Sequence, residues 1–397
     1  MAKLFGQTLD AKALAERAGS LTQFGGVRLV TLADGAERGI RALEFRSGTG
    51  LQFTVLVDRA MDIADLSHNG RAIGWHSPTG FRSPALHEPE GEDGLSWTRS
   101  FSGFLSTCGL DHILGPEQVS GDNYNYPRKA MVSHGLHGRI GAIPARLTGY
   151  GETWDGERCV LWAEGVIAQA AVFGEVLHLH RRIEVDLGGS EIRLNDRVEN
   201  AGFVTTPHMF FYHINLGFPL IDKDTRLAAP IKEVVWASHE ADGLEAQGVG
   251  YDKCPDPIRG FTEQVWEHEM VADENGRVPV AVLNDQLGLG LQIETSKDQF
   301  PCSYQWQNFQ SGHYVMAVEP STHHVKGNLF ARERDEMIWL EAGETRSYQT
   351  TFRVLEGASE MAAARDRIAA IAEQPTSPYP QPTGAFAPLH GAAGEDK

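Results

Sequence analysis

Apolar residues recur along the chain in short runs bounded by glycine and polar turns, with few stripes of helical period. Residues 27–31 (VRLVT), 40–46 (IRALEFR) and 51–57 (LQFTVLV) are rich in β-branched and aromatic side chains and read as strands. So do 159–172, 175–186 and 190–199. Among them, "VLHLHRRIEVD", then "LGGSE", then "IRLNDRVEN" predicts a hairpin with a Gly-Gly turn. Later runs place strands at 207–213, 280–284, 288–295, 302–308, 313–319, 336–340 and 346–355. Two segments carry a helical pattern. In "TLDAKALAERAG" (8–19), Thr8 or Asp10 can cap the start and Gly19 the end. In "GASEMAAARDRIAAIAEQ" (357–374), Ser359 is the expected N-cap, and Met361, Ala364, Ile368 and Ile371 form an apolar stripe.

Many short strands with glycine punctuation predict an all-β chain, a large antiparallel β-sandwich with few short helices. Three regions follow: an N-terminal helical segment (1–24), the sandwich (25–356), and a C-terminal helix with a Pro-, Gly- and Ala-rich tail (357–397). The tail composition predicts an extended arm. Tyr379 and Phe386 are apolar enough to lay that arm over the body or over a neighbouring subunit in a homodimer.

Length and charge narrow the function. At 397 residues the chain can bury a sizeable core. A formal net charge of −18 argues against nucleic acid and anionic membranes as partners. A neutral sugar or sugar derivative is compatible with it. Cys108, Cys159, Cys254 and Cys302 form no C-x-x-C pair and read as reduced. The opening residues carry no signal-peptide pattern, and no apolar stretch approaches a membrane span. The expected location is cytoplasmic.

Candidate chemistry sits in four stretches. In "PHMFFYHINLGFP" (207–219), alternation puts Phe211, His213 and Asn215 on one face of a strand. Histidine suits proton transfer near neutral pH, though a satisfied core histidine reads the same way at this stage. In "HYVMAVEPSTHHVKGN" (313–328), Glu319 is expected where an apolar strand stops before Pro320. A carboxylate there is costly unless it is paired or chemically employed. In "VDRAMDIAD" (57–65), Arg59 offers a planar fork of donors, beside Asp58 and Asp62; a local ion pair is the plainer reading. In "SHGLHGR" (133–139), two histidines three apart and Arg139 occupy a glycine-rich turn between strands.

Taken together these stretches resemble the aldose 1-epimerase (galactose mutarotase) superfamily, and within it the poorly characterised aldose-epimerase-like branch. The resemblance rests on "VLVDRAMDIADLSHNGRAIGW" (55–75), "FLSTCGLDH" (104–112), "SHGLHGRIGAIPA" (133–145), "RVENAGFVTTPHMFFYHINLGFP" (197–219) and "YVMAVEPSTHHVKGN" (314–328). It implies a β-sandwich with a sugar cleft on one face. It also implies roles: His213 as proton donor to the ring oxygen, Glu319 as general base, His134 as the substrate-binding histidine of the H-G turn, and Arg59 as a holder of hydroxyls. Asp62, His137, Arg139 and Asn215 are further expected substrate contacts. The pattern departs in that Tyr212 precedes His213 where the superfamily has Asn. Its substrate-binding aspartate has Asp252 and Glu263 as candidates.

Such an enzyme opens and recloses a sugar ring. It needs one base and one acid, expected about a sugar's width apart, and no metal, nucleotide or other cofactor. Two other readings remain at this stage. One is a metal-dependent keto-sugar isomerase or epimerase with ligands among His134, His137, His208, His213 and Glu319. The other is a non-catalytic carbohydrate-binding protein. Trp75, Trp97, Trp306 and Phe211 would serve as stacking surfaces in any of the three.

Overall fold

The computed structural model describes residues 2–125, 128–238, 248–372, 375–377 and 380–389. Three antiparallel sheets form the body. An eight-stranded sheet runs in the order Arg146–Asp155, Arg158–Ala170, Val176–Asp186, Glu191–Asn200, Thr345–Glu356, Leu289–Ser296, Arg277–Asn284 and Arg226–Ala228. A seven-stranded sheet runs Ile231–Ala237, Gln264–Met270, Cys302–Asn308, Val315–Ser321, Thr206–Leu216 and Ile338–Leu340, with Leu105–Leu110 also paired to Thr206–Leu216. A five-stranded sheet holds Gly26–Thr31, Arg41–Arg46, Leu51–Leu56, Asp62–His68 and Arg71–Ala72. The expected large β-sandwich is therefore the fold.

Local pattern explains which face goes inward. Strands Arg158–Ala170, Val176–Asp186 and Glu191–Asn200 alternate buried and half-buried positions, as one-sided sheets do. Thr206–Leu216 is buried at every position. One of its faces turns Phe210 and Tyr212 to Tyr348 and Phe300 in the core between sheets. Its other face carries Phe211, His213 and Asn215, as the alternation predicted. The hairpin between Val176–Asp186 and Glu191–Asn200 forms as expected.

The ends differ from expectation. The helix anticipated over 8–19 is only Ala11–Ala15, capped by the Asp10 carboxylate on the Ala13 amide. A small hairpin, Ala2–Leu4 with Gln7–Leu9, precedes it. The C-terminal helix is Gly357–Ile371, and it packs Met361, Ala364 and Ile368 on the eight-stranded sheet. Ser359 does not cap it; the Glu360 side chain accepts from the Glu356 amide at its start instead. The tail lies over the body through Phe386, while Tyr379 falls outside the described residues. Pro320 does not end its strand, which runs on to Ser321. The ladder to Thr206–Leu216 passes from Phe211–Ser321 to Ile214–Val318, and the lapse between them accommodates the missing N–H of Pro320.

One buried network joins all three sheets. Arg181 makes a two-pronged contact with Asp196, at 2.9 and 2.6 Å. It also donates to Asp62 (2.8 Å), the Ala60 carbonyl (3.0 Å) and Thr107 Oγ1 (2.8 Å). Tyr212 donates to Asp196 at 2.7 Å. Thr107 donates to Asp62 through both its amide and its hydroxyl. All five side chains are buried. Such a cluster tolerates its own desolvation only while complete. We expect Arg181→Met to leave two carboxylates uncompensated and to cost about 3–5 kcal/mol. Urea unfolding would report this, and an unchanged midpoint would show that the network is inert.

Candidate functional site

The exposed-side face of Thr206–Leu216 brings His213 beside Glu319 of the neighbouring strand. His213 Nε2 lies 3.0 Å from Glu319 Oε1, and each residue is only 4% exposed. The expected acid and base are thus in direct contact, not a sugar's width apart. Antiparallel register places them so, because Ile214 pairs with Val318 and the residues on either side follow.

The imidazole has a fixed tautomer. Asn215 Nδ2 donates to the carbonyls of Gly103 (2.9 Å) and His213 (3.2 Å), which leaves Asn215 Oδ1 as an acceptor. His213 Nδ1 lies 2.5 Å from that oxygen and must carry the proton. Nε2 then presents its lone pair to Glu319. Burial pushes the His213 imidazole down to about 3. Burial, reinforced by the nearby Glu263 charge, pushes the Glu319 carboxyl up to about 8. Both groups are thus held neutral, with the proton on the Glu319 carboxyl, whose Oε1 lies close to His213 Nε2 without a hydrogen bond of good geometry.

Aromatic rings enclose the pair. Phe101 lies 4.6 Å from the His213 ring centroid, Trp306 5.2 Å and Trp97 5.7 Å. Trp97 stacks on Phe101 at 4.0 Å. Trp306 donates its indole N–H to Glu263 Oε2 at 2.8 Å, which sets Glu263 at the rim of the site. Asp252, the other candidate acid, instead faces Arg226 at 3.5 Å. Arg59 lies beneath the same wall. One guanidinium nitrogen donates to the Ser100 carbonyl at 2.8 Å, and another is buried without a partner.

The turn "SHGLHGR" divides its histidines. His137 joins the site: its ring lies 4.6 Å from Trp97, 5.0 Å from Phe211 and 6.1 Å from His213. Its Nδ1 accepts from the Leu114 amide at 3.3 Å, so Nε2 carries the hydrogen and is a donor. Burial holds this imidazole well below its ordinary value. The turn reaches this shape through positive φ at His137 and Gly138. A Cβ on Gly138 would meet the Gly109 carbonyl oxygen at 2.3 Å. His134 points elsewhere. It stacks on His112 at 4.7 Å, near Asp111, and burial lowers it to about 4.

Two other expected contacts are engaged within the protein. Asp62 accepts from Thr107 and Arg181 in the core network. Arg139 pairs with Glu90 and donates to the Ser133 carbonyl and Glu175. Asn215 is an orienting group for His213. His208 lies on the opposite face with both ring nitrogens bonded, to the Leu110 carbonyl and the Tyr348 hydroxyl. The ligand set of the metal-dependent reading is therefore not gathered at one point. Phe101 escaped the sequence reading because its turn-rich segment has no period to mark it. A groove of about 780 Å³ lies beside the five-stranded sheet and not at the pair. Trp75 lines that groove and also contacts Phe101 at 5.2 Å, so one aromatic wall separates groove from pair.

The model of one protein family, described as "Domain of unknown function (DUF4432)", matches residues 37–354. No curated protein matches the chain. Among solved structures, a protein of Klebsiella pneumoniae named "putative aldose 1-epimerase" is 23% identical, with 88% of each chain covered and a TM-score of 0.78. A galactose mutarotase-like protein of Clostridium acetobutylicum is 11% identical over 84% of this chain and 99% of its own, with a TM-score of 0.55. A galactose 1-epimerase of Lactobacillus acidophilus is 14% identical over 84% of this chain and 99% of its own, with a TM-score of 0.51. At these identities the likeness is one of fold. No helix among the described residues is long and apolar enough to cross a membrane.

The buried pair makes stability depend on pH. Folding keeps Glu319 protonated where an unfolded carboxyl ionises above 4.5, so its contribution falls as pH rises towards 8. His213 acts in the opposite sense: folding keeps it neutral where the unfolded ring protonates below 6.5, so its contribution grows from about pH 3 to 6.5. The two oppose each other up to pH 6.5, and only the Glu319 decline remains above it. We expect the urea midpoint to fall between pH 6.5 and 8, and to fall less in Glu319→Gln. Equal pH slopes in the two proteins would refute the raised carboxyl.

Proposed function

The chain belongs to the DUF4432 family, and on that premise we propose that it is a carbohydrate isomerase that interconverts sugar anomers, as an aldose 1-epimerase does. The observation that carries this reading is the 3.0 Å contact between Glu319 and His213, sealed among aromatic rings, with the imidazole tautomer locked by Asn215. The fold likeness to proteins named as aldose epimerases supports it.

The reaction breaks the bond between C1 and the ring oxygen, rotates the opened aldehyde, and recloses it. O1 and the ring oxygen are bonded to the same carbon. A base and an acid within hydrogen-bond distance of each other can therefore address both at once. In the working state the shared proton sits on His213 Nε2. Glu319 accepts the proton of the C1 hydroxyl while His213 delivers its own to the ring oxygen. Reclosure runs the two transfers backwards, so the pair returns with one proton. Each transfer contributes on the order of 100- to 10,000-fold.

The remaining side chains bind and orient. His137 offers Nε2–H to a hydroxyl, and Arg59 brings an unsatisfied guanidinium nitrogen. Glu263, held by Trp306, stands at the rim where an acidic contact to sugar hydroxyls is needed. Trp97, Phe101 and Trp306 supply faces on which a pyranose ring stacks.

Exchange NMR of anomer interconversion across a panel of aldoses and uronates tests the proposal. We expect one class to exchange faster than buffer alone, with the rate falling above about pH 8 as the pair loses its only proton. Glu319→Gln and His213→Gln should each lower the enhancement on the order of 100-fold or more while the chain stays folded. No acceleration with any sugar, or full activity in Glu319→Gln, would sink the reading.

A further inference from the structure

A second polar cluster lies on the same sheet face, two strands from Glu319. Tyr304 pairs across the ladder with Glu319 on one side and Glu267 on the other. Beyond it, Glu267, Cys302 and His324 are all buried, and one ligand atom from each lies within 4.8 Å of the others. His324 Nδ1 is 2.5 Å from Glu267 Oε1 and 3.5 Å from Cys302 Sγ. Among the described residues, this is the group of histidine, cysteine and carboxylate side chains that could hold an ion.

The surroundings aim these atoms inward. His324 Nε2 donates to the Ala387 carbonyl at 3.1 Å, which commits the far nitrogen and leaves Nδ1 towards the cluster. Tyr304 donates its hydroxyl proton to Glu267 Oε2 and accepts from the Val325 amide, which leaves Oε1 towards the cluster. Outer partners of this kind orient the ligands of metal centres. The tail covers the cluster from outside: the amides of Thr383 and Gly384 donate to the carbonyls of Val234 and Val235, and Phe386 packs on His324 at 4.9 Å.

We propose that Glu267, Cys302 and His324 form a site for a divalent transition-metal ion of the zinc class, which clasps two sheet strands and the segment after Ser321, beneath the C-terminal arm. Thiolate, imidazole and carboxylate are the ligands such an ion takes, with a fourth position left for water. The sulfur–nitrogen separation already suits a tetrahedral centre, since bonds of about 2.0–2.3 Å place ligands about 3.5 Å apart. Glu267 and His324 have to part by roughly 1 Å to admit the ion.

Charge balances in both states. Without an ion, an imidazolium faces a carboxylate beside a neutral thiol. With one, a thiolate and a carboxylate cancel the two positive charges beside a neutral imidazole. The ion replaces the Cys302 thiol proton and the His324 Nδ1 proton, so binding releases about two protons per ion. This inference does not depend on the sugar reading.

Cobalt(II) titrated into chelator-stripped full-length protein tests it. We expect about one equivalent to bind, with the intense visible absorption of a tetrahedral ion, a thiolate-to-cobalt charge-transfer band, and displacement by zinc. Cys302→Ser should remove the charge-transfer band, His324→Ala should weaken binding by at least about tenfold, and Cys254→Ser should change neither. No bound cobalt in the wild-type protein, a weak octahedral spectrum, or a charge-transfer band that survives Cys302→Ser would overturn the site. The wild-type spectrum decides even if a variant fails to fold.

Discussion

The buried guanidinium of Arg181 is the point on which the three sheets meet. It reaches Asp196 in its own sheet, Asp62 of the five-stranded sheet and Ala60 in the turn before it, and Thr107 of the seven-stranded sheet. An ion-pair cluster under this much apolar cover is a poor source of net stability, because desolvation offsets most of the attraction. Its use is geometric, since the donors and acceptors are shared among neighbours on all three sheets and any slip strands a charge. Tyr212 binds this cluster from one side of its strand, and the next residue, His213, projects from the other. The register of the His213–Glu319 pair is therefore tied to the network by a single peptide unit.

The same burial that threatens the network sets the protonation of the pair. A histidine and a glutamate in water would exist as an ion pair near neutral pH. Among Trp97, Phe101 and Trp306, the neutral forms win, and the proton between the two atoms rests on the Glu319 carboxyl. Asn215 removes the remaining freedom by holding Nδ1–H. Pre-set direction with little reorganisation is what proton transfer needs.

Sheet registry also explains why the polar groups of this face form two clusters. Rows across an antiparallel sheet put side chains about 5 Å apart. His213, Glu319, Tyr304 and Glu267 lie along one such row, on four successive strands. Tyr304 stands between the clusters, donates to Glu267 and accepts from the Val325 amide. One row thus carries a proton-sharing pair at one end and a soft-ligand cluster under the C-terminal arm at the other.

Period-two alternation alone identifies the strands, the sandwich and the inward face of His213 and Asn215, because a pleated chain must send neighbours to opposite sides. The hairpin at residues 187–190 and the apolar stripe of the last helix follow from equally local rules. Motif pattern points to Glu319 and His213, yet not to their contact. Between His134 and His137 the family resemblance selects His134, while local pattern does not separate them, since both precede glycine in one turn. Positive φ at His137, set by backbone packed against Gly109, decides that His137 reaches the rings. Asp62 and Arg139 look like sugar contacts in sequence, but both are claimed by partners more than 30 residues away. Glu267, Cys302 and His324 are likewise separated by 35 and 22 residues, counted from their numbers. Local pattern reports which way a side chain faces; only the closed sheets decide what it meets there, because those meetings are made between distant strands.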